Sequence, residues 1–501
     1  MPAKIKKGLS ISLGNLTKSI SVIGKVKNPE ILIKNLTHDS RKVVAGSLFF
    51  ALSGSRTDGF LYAREAVKKG AVAVLSEKPQ PPDIETNWIQ TADAVSAMGV
   101  MANIFFRNPS AKMRLIGVTG TNGKTTVTYF LESILKEARK KTGIIGTISY
   151  RGPGLPPSKA VNTTPSSLEL LEILAKLRGA GTTHVAMEVS SHALALRRVE
   201  EIAFDAAVFT NLKRDHLDFH KTINAYFKAK AHLFELLERS NKPFRTAVIN
   251  ADDPRAKELR PLVRHCKILS YGLESQSGVT AENIRADLNG SRFTLKLGKK
   301  KLPIFLKLPG KHNILNAMAA AGAAHAVGVP EKFIISGLEK LRLVPGRLEE
   351  VESRKPFKVF IDFAHTDSAL ETVLKQLRLS AQGRIITVFG CGGDRDKTKR
   401  APMGKTAAKL SDWVILTNDN PRRENPLEIL ADIEAGIKKA GQKNYKMIPD
   451  RAKAIQEALS LAQAQDIVLI AGKGHEAYQI LNDKTIPFND KDAVKAALKQ
   501  L

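Results

Sequence analysis

The chain has 501 residues, with 78 Lys and Arg against 49 Asp and Glu, a formal charge of +29. That length exceeds a single core and implies two to four domains, and 43% hydrophobic with 25% charged residues is the composition of a soluble globular chain. No uninterrupted apolar run reaches transmembrane length, and the start (Lys4, Lys6, Lys7) lacks a signal-type apolar core. Two cysteines, Cys266 and Cys391, cannot build a disulfide framework or a zinc cluster, so a reducing cytoplasm is expected. The charge raises the question of a nucleic-acid partner. The basic residues nevertheless fall in short scattered groups, such as Arg139-Lys140-Lys141 and Lys299-Lys300-Lys301, with 6% aromatics and no stacking motif. They read as a solvated basic surface that helps attract an anionic substrate. No nucleic-acid or membrane partner is expected, and a monomer is.

In chain order, residues 1–110 mix short strand-like runs (47–52 and 71–75) with polar turns, a smaller N-terminal α/β domain. Residues 111–345 open with Met113, Leu115, Ile116 and Val118, a short buried strand. Gly120-Thr121-Asn122-Gly123-Lys124-Thr125-Thr126 follows, and then Val127, Phe130, Leu131, Ile134 and Leu135 at helical spacing. Strand, glycine loop, Lys-Thr and helix form the layout of a phosphate-binding loop. Glycines let backbone N–H groups approach phosphates, the lysine neutralises them, and a threonine hydroxyl holds Mg2+. Val118 stands where the usual pattern has its first glycine, so this is a variant loop; it implies ATP or GTP. Further buried strands are expected at 184–189, 206–212 and 246–250. Residues 346–501 alternate strands at 359–363, 384–389, 413–417 and 467–471 with helices. The expected fold class is α/β, with a central P-loop-type ATPase domain on a mostly parallel sheet and a C-terminal Rossmann-like, doubly wound domain.

Polar clusters follow these strands, at 120–125, 188–192, 211–220, 362–365, 390–396, 419–422 and 472–476. Ligands of open α/β sheets bind at the carboxyl ends of strands, so one active site is expected in a cleft between the central and C-terminal domains. Glu188, Ser190, Ser191 and His192 end one strand and His216 follows the next; Glu and His there suit a Mg2+ ion bridging to a phosphate. Each histidine singly is as readily a core or capping residue. Residues 222–237 read as a helix whose apolar stripe (Ile223, Tyr226, Phe227, Leu233, Phe234, Leu237) contains Lys230, with Lys228 on the opposite face. Burial would leave Lys230 a neutral amine able to capture CO2 as a carbamate, an oxygen ligand for Mg2+. On spacing alone, a lysine that snorkels to the surface is the better reading. Asp419-Asn420-Pro421-Arg422 also follows a strand, and an arginine there can grip a carboxylate through two parallel bonds; a solvated arginine in a plain turn is the equal alternative. Gly472-Lys473-Gly474-His475-Glu476 is a second glycine loop, ending in an acid. Gly390-Cys391-Gly392-Gly393 fails as a dinucleotide fingerprint because Arg395 takes the third glycine position, which argues against an NAD site.

In this order, 120–125, Asn162-Thr163-Thr164, 188–192, 210–218, Lys230, Pro345-Gly346-Arg347, 362–365, 392–396, 419–422 and 472–476 make the chain resemble the Mur ligase family over nearly its whole length. The resemblance implies an ATP-dependent ligase of cytoplasmic peptidoglycan precursor synthesis that adds a diamino acid to UDP-N-acetylmuramoyl-L-alanyl-D-glutamate through an acyl phosphate. It implies UDP-substrate binding by residues 1–110, ATP binding by 111–345 and amino-acid binding by 346–501. Residue by residue, it implies Lys124 and Thr125 on the ATP phosphates and Mg2+, with the rest of 120–126 around them. Glu188, His216 and a carbamylated Lys230 would organise metal ions, which reverses the reading of Lys230. Ser40, Asn162, Thr163, Thr164, Ser190 and Arg198 would contact the acceptor, and Asn316, Arg347, Asp362 and His365 the ATP.

An Asp-Asn-Pro-Arg turn goes with meso-diaminopimelate in the family. That substrate is lysine with an extra distal carboxylate, which Arg422 and Arg395 would pair with. Glu476 would receive the distal ammonium, and Asp419, Asn420, Pro421 and Gly472 would complete the pocket; an L-lysine-adding ligase is the alternative. Departures from the family pattern are Leu196, Phe363, Asp367, Thr398 and Ala401. Folylpolyglutamate synthase is a rival that needs neither the 419–422 turn nor the N-terminal domain. A basic P-loop ATPase acting on nucleic acid is a rival of another class. A non-catalytic homologue is opposed by the intact Lys124, Glu188, His216 and Lys230.

Overall fold

Apolar strand runs build the three largest of five sheets in the computed structural model, which describes residues 9–54, 57–274 and 277–501; Lys4, Lys6 and Lys7 lie outside the described residues. The first sheet holds β1 (Asn35–Thr37), β2 (Ser47–Ala51), β3 (Ala71–Ser76) and β4 (Asn87–Gln90), parallel and in chain order. β2 is buried along its whole length.

The central unit comprises β5 (Arg114–Thr119), α1 (Lys124–Glu137), β6 (Thr142–Ile145), β7 (Ser149–Gly152), β8 (Leu155–Lys159), α2 (Ser167–Gly179), β9 (His184–Glu188), β10 (Ala206–Phe209), α3 (Ile223–Arg239) and β11 (Thr246–Asn250). It continues with β12 (Lys267–Tyr271), β13 (Val279–Asp287), β14 (Gly290–Leu297), β15 (Lys300–Leu306) and α4 (Lys311–Ala326). Eleven strands run in the order β8-β7-β6-β9-β5-β10-β11-β12-β13-β14-β15. Those from β6 to β13 are parallel, and antiparallel hairpins extend both edges. The interior strands β9, β10 and β11 are buried at every position, the pattern of a parallel sheet covered on both faces. α4, alanine-rich and buried on most of its circumference, lies in the core against that sheet. The extension β13–β15 is absent from the strands expected from sequence. β14 alternates buried and exposed positions, and the lysines at its solvent face and at the turn into β15 hide the strand signal.

The third sheet follows the chain as β16 (Glu349–Val351), β17 (Lys358–Asp362), α5 (Asp367–Arg378), β18 (Ile385–Phe389), α6 (Arg400–Leu410), β19 (Trp413–Leu416), α7 (Pro426–Lys439), β20 (Tyr445–Met447), α8 (Arg451–Leu461) and β21 (Ile467–Ala471). Its order is β16-β17-β21-β18-β19-β20, with only β16 antiparallel. One core joins α5, α6 and α7 to one face, and a second joins α8 and the terminal helix to the other. This is the doubly wound arrangement that the strand–helix alternation predicts. Among the described residues no helix is long and apolar enough to cross a membrane.

Candidate active site

The carboxyl ends of β5, β9, β10, β17 and β21 open on one cavity of about 950 Å³, lined by residues of both the central and the C-terminal unit. At its floor β5 runs into the glycine loop. Gly120 (φ +146°) and Gly123 (φ +90°) occupy the left-handed region, and a Cβ would strike the Thr210 hydroxyl at the first and the Asn316 amide at the second. Val118 is a core residue of β5, paired with Glu188 on one side and Val208 on the other, which is why the loop dispenses with a glycine there.

Lys124 Nζ folds back over its own loop and donates to the carbonyl oxygens of Gly120 (2.8 Å) and Thr121 (2.9 Å). Lys230 is 1% exposed, donates to the same Gly120 carbonyl at 2.8 Å and lies 4.3 Å from the Tyr226 ring centre. Its side chain does not snorkel. Burial, and then the neighbouring Lys124 charge, hold its pKa well below the usual lysine value. Burial also lowers the pKa of Lys124, opposed by Glu188 and Asp215.

Glu188 is buried at the end of β9. Its Oε1 accepts from the Thr147 N–H (2.9 Å) and its Oε2 from the hydroxyls of Thr147 (2.8 Å) and Thr125 (3.0 Å). A carboxylate beside two hydroxyls, one of them the phosphate-loop threonine, is an all-oxygen donor set suited to Mg2+. Among the described residues no group of three or more His, Cys, Asp or Glu side chains could hold a metal ion, so a cation at Glu188 would also need oxygens from a bound nucleotide or a modified lysine.

His216 has φ +54° at the start of a short helix. Its Nε2 is 3.4 Å from Asp215 Oδ2 and its ring centre 4.8 Å from that of His192. Burial pushes its pKa down to about 3, so the imidazole is neutral at physiological pH. Asp215 falls inside the expected 211–220 cluster and adjoins His216. Burial opposes its charge, yet His365 and His216 hold its pKa below the usual range.

From the C-terminal side, Arg347 Nη2 donates to the Thr125 hydroxyl (3.2 Å), and its guanidinium lies 4.7 Å from the Phe363 ring centre. Asp362 Oδ2 accepts from the Leu348 N–H at 2.6 Å, and burial raises its pKa. His365 Nε2 is 3.8 Å from Asp215. The unexpected Asp367 accepts from Arg214 at 3.2 Å, and Lys159 Nζ lies 4.4 Å from the Tyr478 ring centre across the cavity. Asn162, Thr163, Ser190 and Arg198 line the cavity, as does Leu196. Thr164 stands behind the wall, its hydroxyl donating to the Glu188 carbonyl (2.8 Å) and accepting from the Ser190 N–H (3.1 Å). Gly120 and Pro421 likewise back the lining, and Ser40 sits apart in the N-terminal unit.

At the far wall, Arg422 Nη1 donates to the Gly393 carbonyl (2.7 Å) and Arg395 Nη1 to the Asp394 carbonyl (2.9 Å). Among the described residues neither forms an ion pair, and burial, then Arg395, lowers the pKa of Arg422. Asn420 organises the opposite side. Its Nδ2 donates to Glu476 Oε2 (3.0 Å), and its Oδ1 accepts from the fully buried Lys473 (3.2 Å) and from the Ile480 N–H (3.0 Å). Lys473 also pairs with Glu476 at 2.8 Å. Thr147 and Tyr478 are the site residues that sequence reasoning missed, whereas Asp215 and Lys473 fall inside expected clusters without a role of their own. Lys473 lies inside the 472–476 loop, whereas Thr147 has no motif around it.

Residues 118–324 match the Mur ligase middle domain, residues 346–474 the Mur ligase glutamate ligase domain, and residues 32–106 the catalytic domain of the Mur ligase family. The UDP-N-acetylmuramoyl-L-alanyl-D-glutamate–2,6-diaminopimelate ligase of Solibacter usitatus is 45% identical over 98% of each chain. The enzyme of that name from Caldanaerobacter subterraneus is 44% identical over 94% of this chain and 96% of its own. A solved structure of a ligase of the same name superposes with a TM-score of 0.69 at 32% identity, covering 98% of this chain and 99% of that one. With three consecutive domains matched and relatives aligned almost end to end, the chain belongs to the Mur ligase family.

Proposed function

We infer that the chain is an ATP-dependent amide ligase that joins meso-diaminopimelate to UDP-N-acetylmuramoyl-L-alanyl-D-glutamate. One observation carries this beyond the relatives' names: the cavity that holds the phosphate loop also holds two arginines without an ion-pair partner among the described residues, with Glu476 beside them. Phosphoryl chemistry and recognition of an amino acid with a spare carboxylate therefore meet in one space.

In the reaction an oxygen of the D-glutamate side-chain carboxylate attacks the γ-phosphorus of ATP, the bond to the β–γ bridging oxygen breaks, and ADP leaves. The amine nitrogen then attacks the acyl carbon, the tetrahedral intermediate expels phosphate, and loss of a proton completes the amide. Phosphorylation turns oxide into a good leaving group, so the protein's work is charge neutralisation and positioning. Lys124 and Arg347 neutralise the phosphates, while Thr121, Asn122, Gly123 and Thr126 shape the loop around them. Asn316, Asp362 and His365 hold the nucleotide from the hinge side. Thr125 and Glu188 would hold Mg2+, with His216 and a carbamate on Lys230 next to them; the ion, when bound, neutralises phosphate charge and polarises the phosphorus. The carbamate forms when the neutral Lys230 amine adds CO2 and loses a proton. Asn162, Thr163, Ser190 and Arg198 contact the acceptor, with Thr164 positioning Ser190, and residues 1–110, Ser40 included, take its UDP end. Arg422 and Arg395 grip the distal carboxylate of diaminopimelate and Glu476 its distal ammonium, within walls formed by Asp419, Asn420, Pro421 and Gly472. Lysine would leave both arginines unpaired. The enzyme works in the cytoplasm as a monomer on small-molecule substrates.

The test is ADP release with ATP and the UDP-muramoyl dipeptide, comparing meso-diaminopimelate, L-lysine and no amine. Turnover with diaminopimelate alone is expected. Turnover with lysine instead keeps the ligase and overturns the arginine assignment, and silence with both overturns the reading.

A further inference from the structure

The two central strands that end at the phosphate loop and Glu188 begin at a second pocket. β5 starts at Arg114 and β9 at His184, and both residues line a hollow of about 830 Å³ together with Lys112, Arg139, Lys140, Lys141 and Lys242. The strand rise puts it roughly 17 Å from the phosphate loop, on the opposite edge of the sheet. The run Arg139-Lys140-Lys141, which the ligase reaction leaves without a role, forms one side.

Six cations meet here, and among the described residues Asp205 is the only carboxylate that pairs with any of them: Arg114 at 2.6 Å and Lys242 at 3.1 Å. These two are fixed. Arg114 is the first residue of β5, and buried Lys242 also donates to the Ser110 carbonyl (2.9 Å) and the Ala111 carbonyl (3.2 Å). Lys112, Arg139, Lys140 and Lys141 are exposed and have no ion-pair partner among the described residues. The C-terminal ends of α1 and α2 point to this edge, and each contributes about half a negative charge. With Asp205 that offsets about two of the six positive charges, so roughly four remain uncompensated in one concavity. All six side chains line the same open hollow.

We propose that this hollow is a second anion site, taking a soluble compound that bears two or more phosphate groups. Its volume is that of a nucleotide-sized ligand. No Phe, Tyr or Trp lines it, which removes the stacking surface that single-stranded nucleic acid uses. Phe244, 70% exposed next to Pro243 at the rim, is the one feature that a lipid surface would use, and the experiment separates that source.

Inorganic tripolyphosphate is titrated calorimetrically at low salt into the full chain, into Lys124→Ala and into the double variant Lys140→Glu/Lys141→Glu. Both reversed lysines are exposed and outside the ligase machinery, so the double variant keeps its fold and its ADP-release activity. Two binding events are expected in the wild type. Lys124→Ala weakens one, the double variant weakens the other about tenfold or more, and 0.3 M salt weakens both. An isotherm that the double variant leaves unchanged overturns the proposal. So does tighter binding, lost in the same variant, to vesicles rich in anionic phospholipid or to a DNA oligonucleotide. Because the two events respond to different variants, failure of this site and failure of the ligase reading are distinguishable.

Discussion

The two walls of the active-site cavity handle charge in opposite ways. On the phosphate wall two lysines, Lys230 buried and Lys124 half-buried, turn onto the protein's own carbonyls and share the Gly120 oxygen, beside Arg347 at the Thr125 hydroxyl. Burial there depresses lysine and histidine alike, Lys230 well below its usual pKa and His216 to about 3. On the amino-acid wall Lys473 is already paired with Glu476, and the cations without an ion-pair partner among the described residues are arginines, held by carbonyls at Gly393 and Asp394; a guanidinium keeps its charge in any such setting. A wall where charge appears and vanishes during reaction is built from groups whose protonation can change. A wall that recognises a fixed carboxylate is built from groups whose protonation cannot.

The comparison breaks most severely at Lys230. Lys230→Met is expected to lower kcat at least about a hundredfold, the scale for removing a preorganised charge from a reaction centre. CO2-depleted buffer should lower wild-type turnover and bicarbonate should restore it, with no such response in the variant. Turnover within threefold of wild type, or indifference to CO2, sinks the carbamate. Arg422→Ala comes next. Loss of a charge-assisted bidentate contact costs about 1.5–3 kcal/mol, or roughly 10- to 100-fold in KM for diaminopimelate, with KM for ATP unchanged. Arg422→Lys should not rescue it, because an ammonium cannot reproduce the planar fork. Full rescue would mean that the far wall reads charge alone.

Acid tests the burial of histidine across the molecule. His312, in the cavity lining, is held at about 4 by burial. At the other end of the sheet burial, then Lys140 and Arg114, hold His184 at about 4. For a base depressed in the folded state, the unfolded chain takes the proton first. Stability is therefore full above about pH 6.5 and falls as pH drops toward 4, by up to about 1.4 kcal/mol per pH unit for each histidine. Denaturant midpoints across pH 7 to 4.5 should show this slope, reduced in His312→Asn. A flat profile would contradict the depressed histidines, to which the amino-acid wall adds His475, held at about 3 by burial and then by Arg347.

Legibility from sequence followed the same division. The phosphate loop could be read because contiguous residues carry the information, and the strand runs because fully buried strands are continuous apolar segments; the helical stripe placed Lys230 among apolar residues but favoured a snorkelling lysine, and only the family resemblance reversed that reading. Thr147, the third member of the Thr125–Thr147–Glu188 cluster, could not be read, since it lies alone in the loop after β6 with no motif around it. Nor could the Lys473–Asn420–Glu476 network, in which the residue meant to receive a substrate ammonium already holds a buried lysine. Strands β13–β15 escaped because an edge lined with lysines resembles a polar loop until its neighbour is known.

The smallest expected effect concerns the seam between the walls. Asp367, a departure from the family pattern, is the first residue of α5, after the capping Thr366. A proline is acceptable at that position, because its N–H would have no helical partner. Aspartate instead adds a favourable charge at a helix start and an ion pair with Arg214 across the two units. The side chains are 37% and 28% exposed, so water screens the pair and its worth is about 0.2–1 kcal/mol. Asp367→Asn should therefore change kcat/KM less than about threefold, with the difference fading as salt rises. Asp367→Pro should fold normally and behave the same way. A tenfold loss shared by both variants and insensitive to salt would show that this one pair governs how the C-terminal unit seats on the phosphate wall, and the burial-based division between the walls would then need a third, interdomain term.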